Sequence, residues 1–267
     1  MLQKNRTSVK DQVSRDLLPA VRKPARYIGG EINEIRKNPA GCEVRVGLCF
    51  PDIYEIAMSH TGLGILYEVI NRMEGVWAER IFAPWLDAEE VMRKEKIPLF
   101  SLESRTASGD FDILGFSLTN ELCYTNLLNM LDLAGLEVRA ENRCEEDPLV
   151  IVGGQASNCA EPIAPFVDLF VLGQGEESAV QLIGLYRDLK REGKSRREFL
   201  RAAAGTLPFA YVPAFYTVAH NEAQGQSVMP VEADLPVRLA DAVVDDFDGA
   251  AVPEAPIVPF VQAVHDR

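Results

Sequence analysis

The chain has 267 residues, 47% of them hydrophobic and 25% charged, with a formal net charge of −13. With 19 Gly and 16 Pro it is no low-complexity chain, and its length allows a substantial core without staples. The acidic balance argues against a duplex nucleic-acid binder, which needs a basic face to displace counterions, and no stretch approaches the ~18 uninterrupted apolar residues of a membrane span.

Residues 1–25 mix charges with one short apolar patch, Leu17, Leu18, Ala20 and Val21, and read as an arm carrying a helix. Residues 26–35 fit an edge strand interrupted at Gly29-Gly30. A regular alternation follows. Residues 43–50 read as a strand that becomes more buried toward its end, 51–60 as a loop, and Leu63, Leu66, Tyr67, Ile70 and Met73 recur at helical spacing. A second strand is predicted over 77–82 and a short helix over 88–94. Residues 112–118 read as a buried strand, after which Asn120 caps a helix that stops near Gly135. Strands over 149–152 and 169–172 end in Gly153-Gly154 and in Gly173-Gln174-Gly175. A helix is predicted over 176–190, and Ser195 with Glu198 spells a capping box for another. Strands alternating with helices, and glycine at strand ends, indicate a parallel sheet covered on both faces. One or two strands fit 210–218. Residues 228–267, with Pro253, Pro256 and Pro259, read as an extended connector.

The five cysteines, Cys42, Cys49, Cys123, Cys144 and Cys159, contain no CxxC pair. A zinc ribbon is therefore not expected, and reduced thiols in a cytoplasm are. Ligands of an open parallel sheet bind beyond the carboxyl ends of its strands. Four segments should meet there: 51–60, 117–120, 153–158 and 173–176. Ser117, Thr119 and Asn120 supply hydroxyls and an amide, and the glycines let a flat ligand approach the backbone. A nucleotide-binding domain is one reading of this crevice, but Gly62 and Gly64 do not complete GxGxxG, and Glu176 and Glu177 occupy the helix start where a pyrophosphate would sit.

Three motifs occur in order: Asp112-Ile-Leu-Gly115-Phe-Ser117-Leu-Thr119, Val150-Ile-Val-Gly153-Gly154 and Val171-Leu-Gly173-Gln-Gly175-Glu176. In these the chain resembles the cobalamin-binding domain at the N-terminus of many radical SAM enzymes. Further echoes of one uncharacterised subfamily are Arg26-Tyr-Ile-Gly-Gly-Glu-Ile-Asn, Cys49-Phe-Pro-Asp-Ile-Tyr-Glu, Phe82-Ala-Pro-Trp, Pro98-Leu-Phe-Ser-Leu-Glu-Ser, Tyr124-Thr-Asn-Leu-Leu-Asn-Met-Leu-Asp-Leu-Ala-Gly and the closing Val264-His-Asp-Arg. The resemblance implies a flavodoxin-like (Rossmann-like) α/β fold. It divides the chain into an N-terminal arm (1–25), a cobalamin-binding domain (26–205), and a small extension with a proline-rich linker (206–267).

The resemblance also implies a cobalamin site. Ser117 and Thr119 would face the tail and corrin edge and Gly153 and Gly154 leave room for the benzimidazole, with Leu118, Asn120 and Gln155 beside them as further cofactor-binding residues. Gly173, Gly175 and Glu176 would close the tail groove, and Tyr54, Met58 and Ser59 line the corrin's lower face. His60 is a candidate cobalt ligand, although Met58 stands where mutase-type domains have the Asp that orients the imidazole. Radical SAM chemistry needs CxxxCxxC for a four-iron four-sulfur cluster that binds S-adenosylmethionine, and no such spacing occurs here. The expectation is thus a corrinoid module that serves a catalytic barrel, in cis or in trans, outside this chain. A non-catalytic interaction domain that has lost the ligand is the other reading, since loss of the Asp-x-His pair suits it as well.

Overall fold

The structure is a computed structural model that describes residues 8–221, 225–246, 248 and 253–259. The closing Val264-His-Asp-Arg segment lies outside the described residues. In chain order the elements are α1 (Val9–Gln12), α2 (Ala25–Ile28), β1 (Val44–Phe50), α3 (Tyr54–Met58), α4 (Thr61–Asn71), β2 (Val76–Phe82), α5 (Leu86–Glu95), β3 (Ile113–Ser117), α6 (Tyr124–Leu133), β4 (Leu149–Gly153), β5 (Leu169–Val171), α7 (Gly175–Arg191), α8 (Arg196–Thr206), β6 (Ala210–Tyr211), β7 (Tyr216–Asn221) and β8 (Gly225–Pro230).

Six strands form one sheet in the order β2-β1-β3-β4-β5-β6. The first five are parallel and β6 is antiparallel to β5. The order 2-1-3-4-5 is that of flavodoxin-like proteins, with the order of strand addition switching between β1 and β3. The expected α/β class and both-faced sheet are thus present. Because side chains alternate along a strand, each strand feeds two cores. One face carries Cys49, Ile81, Leu114, Phe116, Val150, Val152 and Phe170 against Met92, Leu127, Met130 and Leu131 of α5 and α6. Val13, Leu17 and Val21 from the N-terminal residues pack into this same core. The opposite face carries Val46, Leu48, Ile113, Ile151 and Val171 against Leu63, Tyr67 and Ile70 of α4, Leu182 and Ile183 of α7, and Phe199 of α8.

Two expectations are corrected. Residues 26–35 hold no strand: Ala25–Ile28 is a helical turn, and the chain then bends through Gly29 and Gly30, whose φ values of 64° and 81° are not those of a strand. Glu31 and Glu34 turn inward to a buried arginine instead of pairing along an edge. The residues 228–230 assigned to a connector belong to β8, which pairs antiparallel with β7 in a separate two-stranded sheet. The capping box is present as expected, with Ser195 Oγ accepting from Glu198 N and the Glu198 carboxylate accepting from Ser195 N at 2.8 Å.

A second polar feature lies at the edge strand. The Arg80 side chain is fully buried and donates to Glu103 at 2.6 Å, to Glu31 at 2.8 Å and to Met58 Sδ at 3.2 Å, beneath the Tyr67 ring. Burial alone would lower the Arg80 pKa, but the carboxylates outweigh it and hold the guanidinium charged. Leu102 N donates to the Arg80 carbonyl, and Glu103 accepts from the Arg80 N–H. Segment 99–107 therefore covers backbone that would otherwise lie open along β2.

Candidate functional site

The face of the sheet under α4 and α7 is not filled. β3 alternates Ile113, Gly115 and Ser117 toward these helices, and β4 presents Ile151 and Gly153 beside them. Two of the places where a core side chain belongs therefore carry only hydrogen. A Cβ built on Gly115 meets nothing nearer than the Gly47 carbonyl at 4.0 Å, and one on Gly153 nothing nearer than Val171 Cβ at 3.9 Å. Gly47 contrasts with them. Its Cβ would lie 2.6 Å from Ile81 on the other face, so glycine there serves close packing. The space left at Gly115 and Gly153 belongs to a cavity of 490 Å³, a size typical of small-molecule sites.

The cavity is layered. At the carboxyl end of the strands its rim holds His60, Ser117, Thr119, Gln155, Gln174 and Glu176; further in come Leu48, Gly115, Ile151 and Leu66; at the bottom lie Val46, Ile113, Ile70, Leu182 and Ile183. From Ser117 to Ile113 is four residues of strand, so the slot is about 13 Å deep. Among the described residues no lysine or arginine lines it.

The rim is set by local geometry. After β4 the chain turns at Gly154, whose φ of +94° and whose approach to Leu118, 2.5 Å from carbonyl O to a built Cβ, exclude any side chain. Leu118 N donates to the Gly153 carbonyl and Ala156 N to the Leu118 carbonyl, locking the β3 and β4 ends together. Gly154 is thus required by the fold, whereas Gly153 borders open space. Gly173, with φ +89°, is similarly crowded: a Cβ would lie 2.3 Å from the Ala242 carbonyl. Residues 240–244 form a strap across the end of β5. Ala242 N donates to the Leu172 carbonyl, Gln174 N to the Ala242 carbonyl, and Val244 N to the Gln174 side-chain carbonyl. At the start of α7, Gly175 lets the helix approach Leu66 of α4, 3.0 Å from a built Cβ.

Of the residues singled out from the sequence, His60, Ser117, Leu118, Thr119, Gly153, Gly154, Gln155, Gly173, Gly175 and Glu176 all line this cavity. Four others do not. Tyr54 packs edge-on against Phe82 and donates its hydroxyl to Glu31, and Met58 accepts from Arg80. Ser59 bonds the Glu55 carbonyl, and Asn120 is an exposed cap whose side chain accepts from Leu122 N. The first two face the buried guanidinium of Arg80 instead, Met58 directly and Tyr54 through the Glu31 carboxylate.

His60 caps α4, its Nδ1 accepting from Leu63 N at 3.1 Å. An accepting Nδ1 leaves the proton of a neutral imidazole on Nε2, a tautomer unsuited to metal ligation through that atom. Sequence reasoning missed Gly115 and the aliphatic walls, and gave no role to Gln174 within the 173–176 segment. An isolated glycine inside a buried strand was the available signal for the first.

The family model for radical SAM proteins, N-terminal, matches residues 62–213. The chain belongs to this family. The matched stretch of the radical SAM N-terminal domain contains β3, β4, β5 and α7 together with Gly115, Gly153 and Gly175, so most of the cavity lies within it. β1, His60 and the strap lie outside. No curated protein and no solved structure matches the chain. Among the described residues no helix is long and apolar enough to cross a membrane.

Proposed function

We propose that this radical SAM N-terminal domain is a cobalamin-binding module. The nucleotide tail would enter the slot between the sheet and helices α4 and α7, with the corrin lying over the rim. The observation that carries this reading is the cradle at Gly115 and Gly153, where the sheet gives up two core side chains to an elongated slot. The rim supplies the Ser117 and Thr119 hydroxyls and the Gln155 and Gln174 amides, partners for the amides around a corrin's edge. Cobalamin, when bound, supplies a cobalt centre able to carry a methyl group. S-Adenosylmethionine and a four-iron four-sulfur cluster belong to the catalytic domain of such enzymes, which this module would serve in cis or in trans. What the present residues do is bind and orient. The aliphatic walls exclude water from the tail, and the rim fixes the tilt of the macrocycle.

In this reading residues 26–205 are the cobalamin domain, 1–25 an arm and 206–267 the extension and linker, working in a cytoplasm. A nucleotide phosphate finds less support, because no lysine or arginine among the described residues lines the cavity and Glu176 stands at the start of α7. The test is reconstitution with hydroxocobalamin, desalting, an absorption spectrum and cobalt analysis. A corrinoid band with near-stoichiometric cobalt is expected. Thermal stabilisation by ATP or NAD without that band would favour a nucleotide-binding domain, and neither response would favour a non-catalytic interaction domain.

A further inference from the structure

The distribution of polar groups within the slot goes beyond the question of whether a corrinoid binds. Every polar side chain lining the cavity sits at the rim or beside it. Ser178, the deepest of them, is committed to its own helix, its hydroxyl donating to the Gln174 carbonyl at 2.6 Å. Below that level the walls are Val46, Ile70, Ile113, Ile151, Leu182 and Ile183. The strand carbonyls and N–H groups at this depth are paired along the β1–β3–β4 ladder and are not offered to a ligand. A flat bicyclic base pushed to the bottom would find only methyl and methylene groups.

We infer that the slot selects corrinoids by their lower base, taking a benzimidazole-type base, apolar along its outer edge, over a purine that carries an exocyclic amine and further ring nitrogens. The inference rests on the corrinoid reading above. Its physical cause is asymmetric. A dimethylbenzimidazole edge replaces water with aliphatic contact, whereas an adenine edge loses its water partners and gains none. A buried donor or acceptor left unpaired costs about five- to 150-fold in affinity.

The test is calorimetric titration of the apo domain with three probes: cobalamin, its adenine-tailed analogue and cobinamide, which has no nucleotide tail. Cobalamin is expected to bind at least tenfold more tightly than either. Equal binding of the two tailed forms, with cobinamide weaker, would overturn the selection while leaving the corrinoid reading standing. Equal binding of all three would place the tail outside the slot and overturn the inference. Binding of none would overturn the corrinoid reading itself. The variant Ile113→Thr keeps a β-branched side chain and adds one hydroxyl at the bottom of the slot. It should narrow the cobalamin preference several-fold, and an unchanged ratio in a folded variant would count against the apolar floor as its cause.

Discussion

Replacing Gly115 by isoleucine separates the fold from the site. The position is in mid-strand, its Cβ has open space ahead, and its φ needs no glycine. A β-branched residue suits the strand. Burying an isoleucine side chain against Leu48, Ile151 and Leu182 contributes about 1.5–3 kcal/mol, and removing a glycine from a strand interior adds about 0.5–1 kcal/mol. Because the slot is open at the rim, about 2 kcal/mol is a reasonable net gain. At about 2–4 °C per kcal/mol for a chain of this size, the apo Tm should rise about 4–8 °C. The same side chain would occupy the path of the tail, so cobalamin retention after desalting should fall at least tenfold. Differential scanning fluorimetry and the corrinoid absorption band measure the two effects on one sample. A lower Tm would show that the slot is not the open space described. A raised Tm with undiminished retention would show that the tail does not run through it.

Other perturbations test the frame. Gly154→Ala, by contrast, should lower stability by about 1–3 kcal/mol, because the left-handed backbone and the Leu118 carbonyl both oppose a Cβ; an unchanged urea midpoint would contradict the turn geometry. Arg80→Leu should destabilise the chain by about 3–5 kcal/mol by leaving Glu103 buried without its cation, and Arg80→Leu with Glu103→Leu should recover most of it; a double variant as unstable as the single would refute the pairing. The capping box holds Glu198 down to about 2 from 4.5 through its bonds to the Ser195 N–H and hydroxyl. A depressed carboxylate stabilises the folded state above its unfolded value, so this contribution is present at neutral pH and lost as pH falls from about 4.5 toward about 2. Glu198→Gln should flatten that part of an acid titration followed by circular dichroism, and an unaltered titration would sink the assignment.

The alternation of strands with helices was most legible at β3, β4 and β5, because each is an apolar run closed by glycine or a polar loop, and the local signal agrees with the tertiary one. The rim residues were legible for the same reason: they sit where those runs stop. What was hidden depends on distant partners. Nothing in Val76-Trp-Ala-Glu-Arg80-Ile-Phe announces that Arg80 will be buried. In the fold, Glu31 and Glu34 pair with that buried arginine, Met58 accepts from it, and Tyr54 reaches it through Glu31. β8 was hidden because a strand paired with β7 in a separate two-stranded sheet shows itself through pairing rather than through burial. Gly115, a gap in an otherwise solid β3, is the clearest mark of the slot in the sequence.

The strap at residues 240–244 binds two parts of the molecule to one set of atoms. Gly173 and Gln174 border the rim and also anchor Ala242 and Val244. A side chain larger than hydrogen at position 173 would have to evict Ala242 before it could touch anything in the slot. On this side the mouth cannot be remodelled alone, and any redesign of its width must reroute the C-terminal segment in the same step.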